Sequence, residues 1–253
     1  SKSPIPTILP TQHFWVVSAP AERPGHLGCQ LWVARKIPIS HSLSVRVLQS
    51  HIIVTHSDPR RLLVTVRTKH LHANISVFHA PVPGSHDHPS PQYSDFWTES
   101  GILHSTKFRR TDSSIDITLV DANTDIAPLH NHSGSFQAPP HSTTSNIIHD
   151  HLRNADMFVP QTYPNIHQGP HHTWFPLRAN QRPHRIDHIF LSRSTPYTSI
   201  RSFIPPQIDP SLKRTDHLPT AICFSIPIKF SHTPPRPRIN RASCSGCSQI
   251  SNS

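Results

Sequence analysis

The sequence predicts an α/β or α+β domain with two sheets, each covered on its outside by helices. Three observations lead there. Residues 44–56 and 61–68 are apolar, β-branched runs separated by Ser57-Asp58-Pro59, which is a hairpin signature. Tyr93, Phe96, Trp97 and Leu103 recur at helical spacing instead. The strand-like runs outnumber the helical ones, and the helices fall between strands.

Taken in order, residues 1–11 are rich in Pro, Ser and Thr and predict an irregular segment. Gly25-His26-Leu27-Gly28 reads as a glycine turn feeding a strand over Leu31-Trp32-Val33. Residues 74–79 continue as a strand. It must stop at Ala80-Pro81-Val82-Pro83-Gly84, because prolines cannot donate to a ladder. The aromatic stripe 93–103 then forms a core-facing helix. Residues 114–120 form a strand running into Asp121-Ala122-Asn123, and 124–142 predict an exposed loop rich in His, Pro and Ser. Thr143, Thr144 or Ser145 caps a helix whose Ile148, Leu152 and Ala155 share a face. Residues 158–163, 172–177, 185–192 and 218–228 complete a strand-rich second half, with 194–216 as loop. The domain spans 12–230, followed by a basic, Pro/Ser-rich tail or linker over 231–253.

The 253 residues suffice for one large domain or two small ones. A net charge of +10 favours a polyanionic partner. Only Glu22 and Glu99 are glutamates, so acidic chemistry falls to Asp. The 28 prolines and 23 histidines are spread along the whole chain, which reads as compositional drift rather than as a set of metal ligands. No apolar run approaches the roughly 18–20 residues that span a membrane, so no membrane association is expected. The chain opens on Ser1 and its single methionine is Met157, so it reads as a piece of a longer frame. Cys29, Cys223, Cys244 and Cys247 are too few and scattered for a disulfide framework, and Cys244-Ser245-Gly246-Cys247 is half of a zinc-site spacing with no second half.

Candidate chemistry gathers in three places. Asp121 and Asn123 lie two apart at a strand end and share a face, where they can orient a water and hold a phosphate oxygen, although Asp-x-Asn is also ordinary turn chemistry. Asp187, between Ile186 and His188-Ile189, is costly to bury unpaired; it either meets Arg185 or fixes a histidine tautomer. Asp216-His217, after Lys213-Arg214, is either a polar strand entry or an imidazole that meets a scissile phosphate beside a hard cation. Arg185, Lys213 and Arg214 are the expected nucleic-acid contacts.

Four blocks stand in order. They are a strand ending in His79-Ala80-Pro81, the strand-end Asp121-Ala122-Asn123, Thr173-Trp174 followed by Arg185-Ile186-Asp187-His188-Ile189-Phe190, and Thr215-Asp216-His217-Leu218-Pro219. Over roughly residues 25–228 the chain resembles the endonuclease/exonuclease/phosphatase superfamily. Within it, the chain looks most like the apurinic-type endonuclease domain that precedes reverse transcriptase in non-LTR retrotransposons. The resemblance implies a DNase I-like, four-layer α/β/β/α sandwich with its site at the strand ends between the sheets. It implies Mg²⁺-dependent (or Mn²⁺-dependent) hydrolysis of phosphodiester bonds, DNA as partner, fusion to a reverse transcriptase and a nuclear location. Asp121 would orient or deprotonate water and Asn123 would hold the phosphate. Asp187 and His217 would form the acid–imidazole pair, and Asp216 would support the metal. His79 stands where many relatives carry a tyrosine near the leaving group, and Trp174 is core or groove wall.

Two departures are visible. The family's early asparagine and Gln-Glu blocks are absent, which fits a chain truncated at its start, and Glu22 is not a match for the missing glutamate. The glycine usual before the Asp-x-Asn aspartate is Val120. A DNA-nicking endonuclease domain is therefore the leading expectation. The alternatives are a catalytically dead relic of one, and a phosphatase or phospholipid phosphodiesterase of the same superfamily.

Overall fold

A computed structural model describes residues 5–21, 28–39, 44–85, 87–108, 111, 114–137, 139–176, 182–205 and 216–227. In chain order its strands are β1 (Thr7–Pro10), β2 (Phe14–Ser18), β3 (Gln30–Ala34), β4 (Ile52–Asp58), β5 (Arg61–Arg67), β6 (His72–His79), β7 (Ser114–Asp121), β8 (Met157–Phe158), β9 (His167–Gln168), β10 (Asp187–Ser192), β11 (Ser199–Phe203) and β12 (Ala221–Ser225). Helix α1 (Pro91–Lys107) connects β6 to β7, and α2 (Thr143–Asn154) precedes β8.

A six-stranded sheet in the order β4-β5-β6-β7-β10-β8 carries the fold. β6 and β7 run parallel, as a strand–helix–strand crossover requires, and the other neighbours run antiparallel. β5 is buried on both faces. Leu63 points towards the helices, while Leu62, Val64 and Val66 point the other way, so its sequence reads as an unbroken apolar run. The helix-side core joins Phe78, Val120 and Phe190 to Tyr93, Phe96 and Trp97 of α1 and to Ile148 and Leu152 of α2. The opposite face packs Leu62, Val64 and Val66 against Val17 and Leu31 of the antiparallel sheet β1-β2-β3. A third sheet, β12-β11-β9, lies beside the turn Pro160–Thr162. Three polar side chains on the helix side are linked to one another. Thr65 Oγ1 donates to Asn74 Oδ1 at 3.0 Å, and Asn74 Nδ2 donates to the buried Asp116 at 2.8 Å.

Several expectations are corrected here. Among the described residues there are two helices, and both cover the same face of the six-stranded sheet; the second outer helix layer of a four-layer sandwich is not among them. Residues 7–10 are not irregular, because β1 pairs with β2 from Thr7↔Ser18 to Pro10↔Trp15, with Pro10 at the strand end where its missing N–H does least harm. The first hairpin strand starts at Ile52, after a short 3₁₀ turn over Gln49–His51, rather than at residue 44. Residues 124–142 are not simply an exposed loop, because Ile126 and Ala127 are buried and Ser133 Oγ donates to the Ala127 carbonyl at 2.6 Å. β11 lies inside the stretch read as loop. Helix α2 is capped one residue earlier than expected, by Ser142, whose hydroxyl accepts from Ser145 N at 3.2 Å. Helix α1 begins with the preferred pattern, a Ser90 cap followed by Pro91. The Cys244/Cys247 pair, Glu22 and the 231–253 tail lie outside the described residues.

Candidate active site

Strand register assembles the site. His79 of β6 pairs with Asp121 of β7, and Asp121 pairs with Asp187 of β10. Residues directly opposite one another project to the same face of a sheet. The three side chains therefore form a row at one edge of the six-stranded sheet, on the side facing β1-β2-β3. Two carboxylates sit opposite each other in this row, an arrangement that repels when both are charged. Burial, and next the Asp187 charge, push the Asp121 carboxyl above its ordinary range, opposed by its hydrogen bond from Asn123 N and by His217 and His79.

The fourth member arrives from a distant segment. Residues 173–175 lie between 184–186 and 216–218. Thr173 N and Trp174 N donate to the His184 carbonyl, Phe175 N donates to the Asp216 carbonyl at 2.7 Å, and Leu218 N donates to the Thr173 carbonyl at 2.6 Å. This docking sets His217 Nδ1 3.0 Å from Asp187 Oδ2. The hydrogen bond to Asp187 raises the His217 pKa, against the lowering effect of burial, and the Asp187, Asp121 and Asp216 charges add to the rise. Thr173, fully buried, accepts from Ile186 N and Asp187 N through Oγ1 at 3.1 and 3.0 Å, and so fixes the start of β10.

Asn123 closes the Asp-x-Asn turn in the left-handed region at φ 51°, where Asn is among the few tolerated side chains. Its backbone N–H donates to Asp121 Oδ1 at 3.1 Å, and its Nδ2 donates to the Ala80 carbonyl at 2.7 Å. The turn chemistry is thus realised, and it ties the end of β6 to the end of β7. His79 Nε2 stands 3.8 Å from Asp121 Oδ2. Asp216 lines the same cleft but accepts from Trp174 Nε1 at 3.2 Å. Trp174 is groove wall.

Asp121, Asp187 and His217 each offer a ligand atom within 4.8 Å of the others, and Asp216 is not in that group. The donor set suits a hard divalent cation, whose charge would relieve the Asp121–Asp187 repulsion and which takes one or two protein carboxylates together with water and phosphate. His217 has already committed Nδ1 to Asp187, so the two carboxylates are the natural holders. No glutamate belongs to the group among the described residues; Glu99 is engaged by Arg61 at 2.8 Å on the helix side.

The cleft above the row has a volume of about 870 Å³. Sequence reasoning missed Asp125 and Arg60 among its residues. Asp125 Oδ2 bonds His184 Nδ1, its Oδ1 accepts from Arg185 N at 2.8 Å, and Arg60 lies beside His79. Asp125 was legible as the second aspartate of Asp121-x-Asn-x-Asp, while Arg60 carried no signal beyond its place in a turn. Arg185 is a correction. It is 1% exposed, its Nη2 contacts His167 Nε2 at 3.1 Å, and burial lowers its pKa to about 10, so it cannot reach a nucleic acid. It does not bond Asp187 either. Lys213 and Arg214 lie outside the described residues.

No family model and no curated protein matches this sequence. Solved structures do match the fold. The endonuclease domain of TRAS1, a telomere-specific non-LTR retrotransposon, superposes with a TM-score of 0.54 at 13% identity, over 87% of this chain and 82% of that one. An AP endonuclease from Archaeoglobus fulgidus gives 0.53 at 15% identity, over 85% and 80%. At such identities the likeness shows the fold, which is DNase I-like. No helix among the described residues is long and apolar enough to cross a membrane.

Proposed function

We propose that this chain is a metal-dependent phosphodiesterase of the endonuclease/exonuclease/phosphatase superfamily that nicks DNA, serving as the endonuclease domain of a non-LTR retroelement polyprotein. One observation carries the reading: Asp121, Asp187 and His217, from three separate segments, converge at the strand ends of a DNase I-like fold. The likeness to a retrotransposon endonuclease domain and to an AP endonuclease supports it, as does the net charge of +10, which favours a phosphate polymer.

Each side chain then has a task. Asp121 orients the attacking water and takes its proton. The hydrogen bond to Asp187 raises the proton affinity of His217, which presents its ring to the phosphate oxygens, where charge builds in the transition state. Asn123 has a second amide hydrogen besides the one given to Ala80, and this donates to a phosphate oxygen. His79 stands at the leaving-group side. Asp121 and Asp187 would hold Mg²⁺ or Mn²⁺, with Asp216 supporting from the wall, and the cation would supply positive charge against the phosphate. DNA is the partner, a reverse transcriptase the fused neighbour and the nucleus the place of action.

Nicking of supercoiled plasmid with Mg²⁺ tests this, comparing the natural chain with Asp121→Ala and His217→Ala. Nicking that both substitutions abolish supports the reading; equal backgrounds in all three remove it. One observation favours a second reading, a folded and DNA-binding but catalytically dead relic: the cation-holding group among the described residues lacks the glutamate that the superfamily uses. Hydrolysis of a soluble phosphomonoester or a phospholipid headgroup without plasmid nicking would instead favour a phosphatase or phospholipid phosphodiesterase.

A further inference from the structure

The hairpin between β4 and β5 places two adjacent arginines at its tip and treats them differently. Asp58 grips Arg61 Nε at 2.8 Å, and Glu99 of α1 accepts from both Arg61 terminal nitrogens at 2.8 Å. Arg61 is thereby neutralised on the helix side of the sheet. Arg60 is sent the other way. Asp58 Oδ1 accepts its backbone N–H at 2.8 Å, and its Nη1 donates to the His79 carbonyl at 3.3 Å, which sets the guanidinium into the cleft that holds Asp121. Among the described residues no carboxylate pairs with the Arg60 guanidinium, although it is half-buried. A partly desolvated cation of this kind gains most from an anion that enters the cleft.

Across the cleft stands a second arginine. Arg182 is exposed and lines the same cleft next to His184, whose ring is held by Asp125 and packs at 30° to Trp174. The sheet order β6-β7-β10 puts Arg60 and His79 on one side of Asp121, and the segment leading into β10 on the other. Two strand spacings are about 10 Å, wider than a single phosphate group. One DNA strand carries a charge every ~3.4 Å of helix axis, so it offers phosphates on both sides of a central one across that width.

We propose that Arg60 and Arg182 contact the phosphates flanking the scissile one, and that together they make the cleft select a polynucleotide strand over a phosphomonoester. This rests on the phosphodiesterase reading of Asp121, Asp187 and His217. It adds what those three cannot supply, the requirement for neighbouring phosphates. The two arginines are binding residues and do not touch the reacting atoms.

The test measures binding separately from cleavage. Fluorescence anisotropy of a labelled DNA duplex, in EDTA, gives affinity as a function of salt for the full chain, Arg60→Ala, Arg182→Ala and the double variant. Arg153→Ala serves as control, because Arg153 pairs with Asp150 on α2 at 2.9 Å, on the outer helical face. Each cleft variant should bind about tenfold more weakly, the loss of one charge-assisted hydrogen bond. Each should also flatten the slope of log affinity against log salt by about 0.9, and the double variant by about twice that. Arg60→Lys should restore most of the slope; it also serves as the folded comparison if Arg60→Ala melts early. Slopes for both single variants that match the full chain and Arg153→Ala overturn the proposal, as does a full chain that binds no duplex. A full chain that binds with the expected slopes but nicks no plasmid leaves the arginine assignment standing and removes the catalytic reading instead.

Discussion

Asp187→Asn tests the acid–imidazole pair with a nearly isosteric change. The carboxylate accepts from His217 Nδ1 at 3.0 Å, and this bond is the first cause of the raised His217 pKa. A charge-assisted hydrogen bond contributes about 1.5–3 kcal/mol when shielded from water. Here the side chains are 38% and 23% exposed, so solvent screening reduces the contribution to about 1 kcal/mol. A histidine whose folded pKa is raised stabilises the fold fully below its unfolded value of about 6.5, and that stabilisation is lost as pH rises through the folded value. The variant should therefore melt below the natural chain at about pH 5.5, by roughly 2–4 °C for a chain of this size, and the gap should narrow as pH rises through the folded value. Relief of the Asp121–Asp187 repulsion acts in the opposite direction, and it grows as Asp121 ionises, which narrows the gap further at high pH. An imidazole NMR titration reads the pair directly: the His217 midpoint should fall in Asp187→Asn. A His217 midpoint unchanged by the substitution would refute the coupling, and with it the role given to His217.

Three other predictions bear on the scaffold of the site. Thr173→Val leaves Ile186 N and Asp187 N without their acceptor, and should cost about 1–3 kcal/mol by urea unfolding, while Thr173→Ser restores most of it. Asn123→Ala removes the tie to Ala80 and leaves a non-glycine side chain at φ 51°, so it should cost about 1–2 kcal/mol and more than Asn123→Gly, which loses the tie but not the backbone freedom. Burial holds His151 near pKa 3, His171 near 3 and His188 near 4. A histidine with a depressed folded pKa stabilises above its unfolded value and loses that contribution as pH falls towards the folded one. Between about pH 6 and about pH 4, stability should therefore fall by up to roughly 4 kcal/mol per pH unit, about 1.4 for each of the three protons. His151→Phe should shallow that slope by about a third in a pH series of urea melts, since neither of its ring nitrogens has a hydrogen-bond partner to lose.

The row of His79, Asp121 and Asp187 was partly legible because strand chemistry is periodic. Asp121 ends one strand-like run and Asp187 opens another, so both were expected at strand ends, while their pairing across β7 and β10 was not. The aromatic stripe Tyr93, Phe96, Trp97 was equally readable, and all three residues are buried in the helix-side core. Arg185 was misread because charge normally marks surface. Only the docking of residues 173–175 over 184–186 places it inside, and a contact between segments ten residues apart leaves no local trace. Arg60 was missed for a similar reason: Arg60 and Arg61 look alike in sequence, and the reach of Asp58 and Glu99 decides which of them is neutralised. β11 was hidden because Ser199-Ile200-Arg201-Ser202-Phe203 is short and polar, with its partners on β12 and β9.

The pairing of Asp187 with Asp121 has a consequence for how the chain finds its fold. Sliding β10 by a single residue along β7 would turn Asp187 to the opposite face, into the core around Trp97 and Leu152, and would carry His188 to the edge in its place. A lone carboxylate in that core costs several kcal/mol. A chain that mispairs these strands therefore loses stability and the row of His79, Asp121 and Asp187 together. Asp187 thereby also proofreads the alignment of the strands that present it.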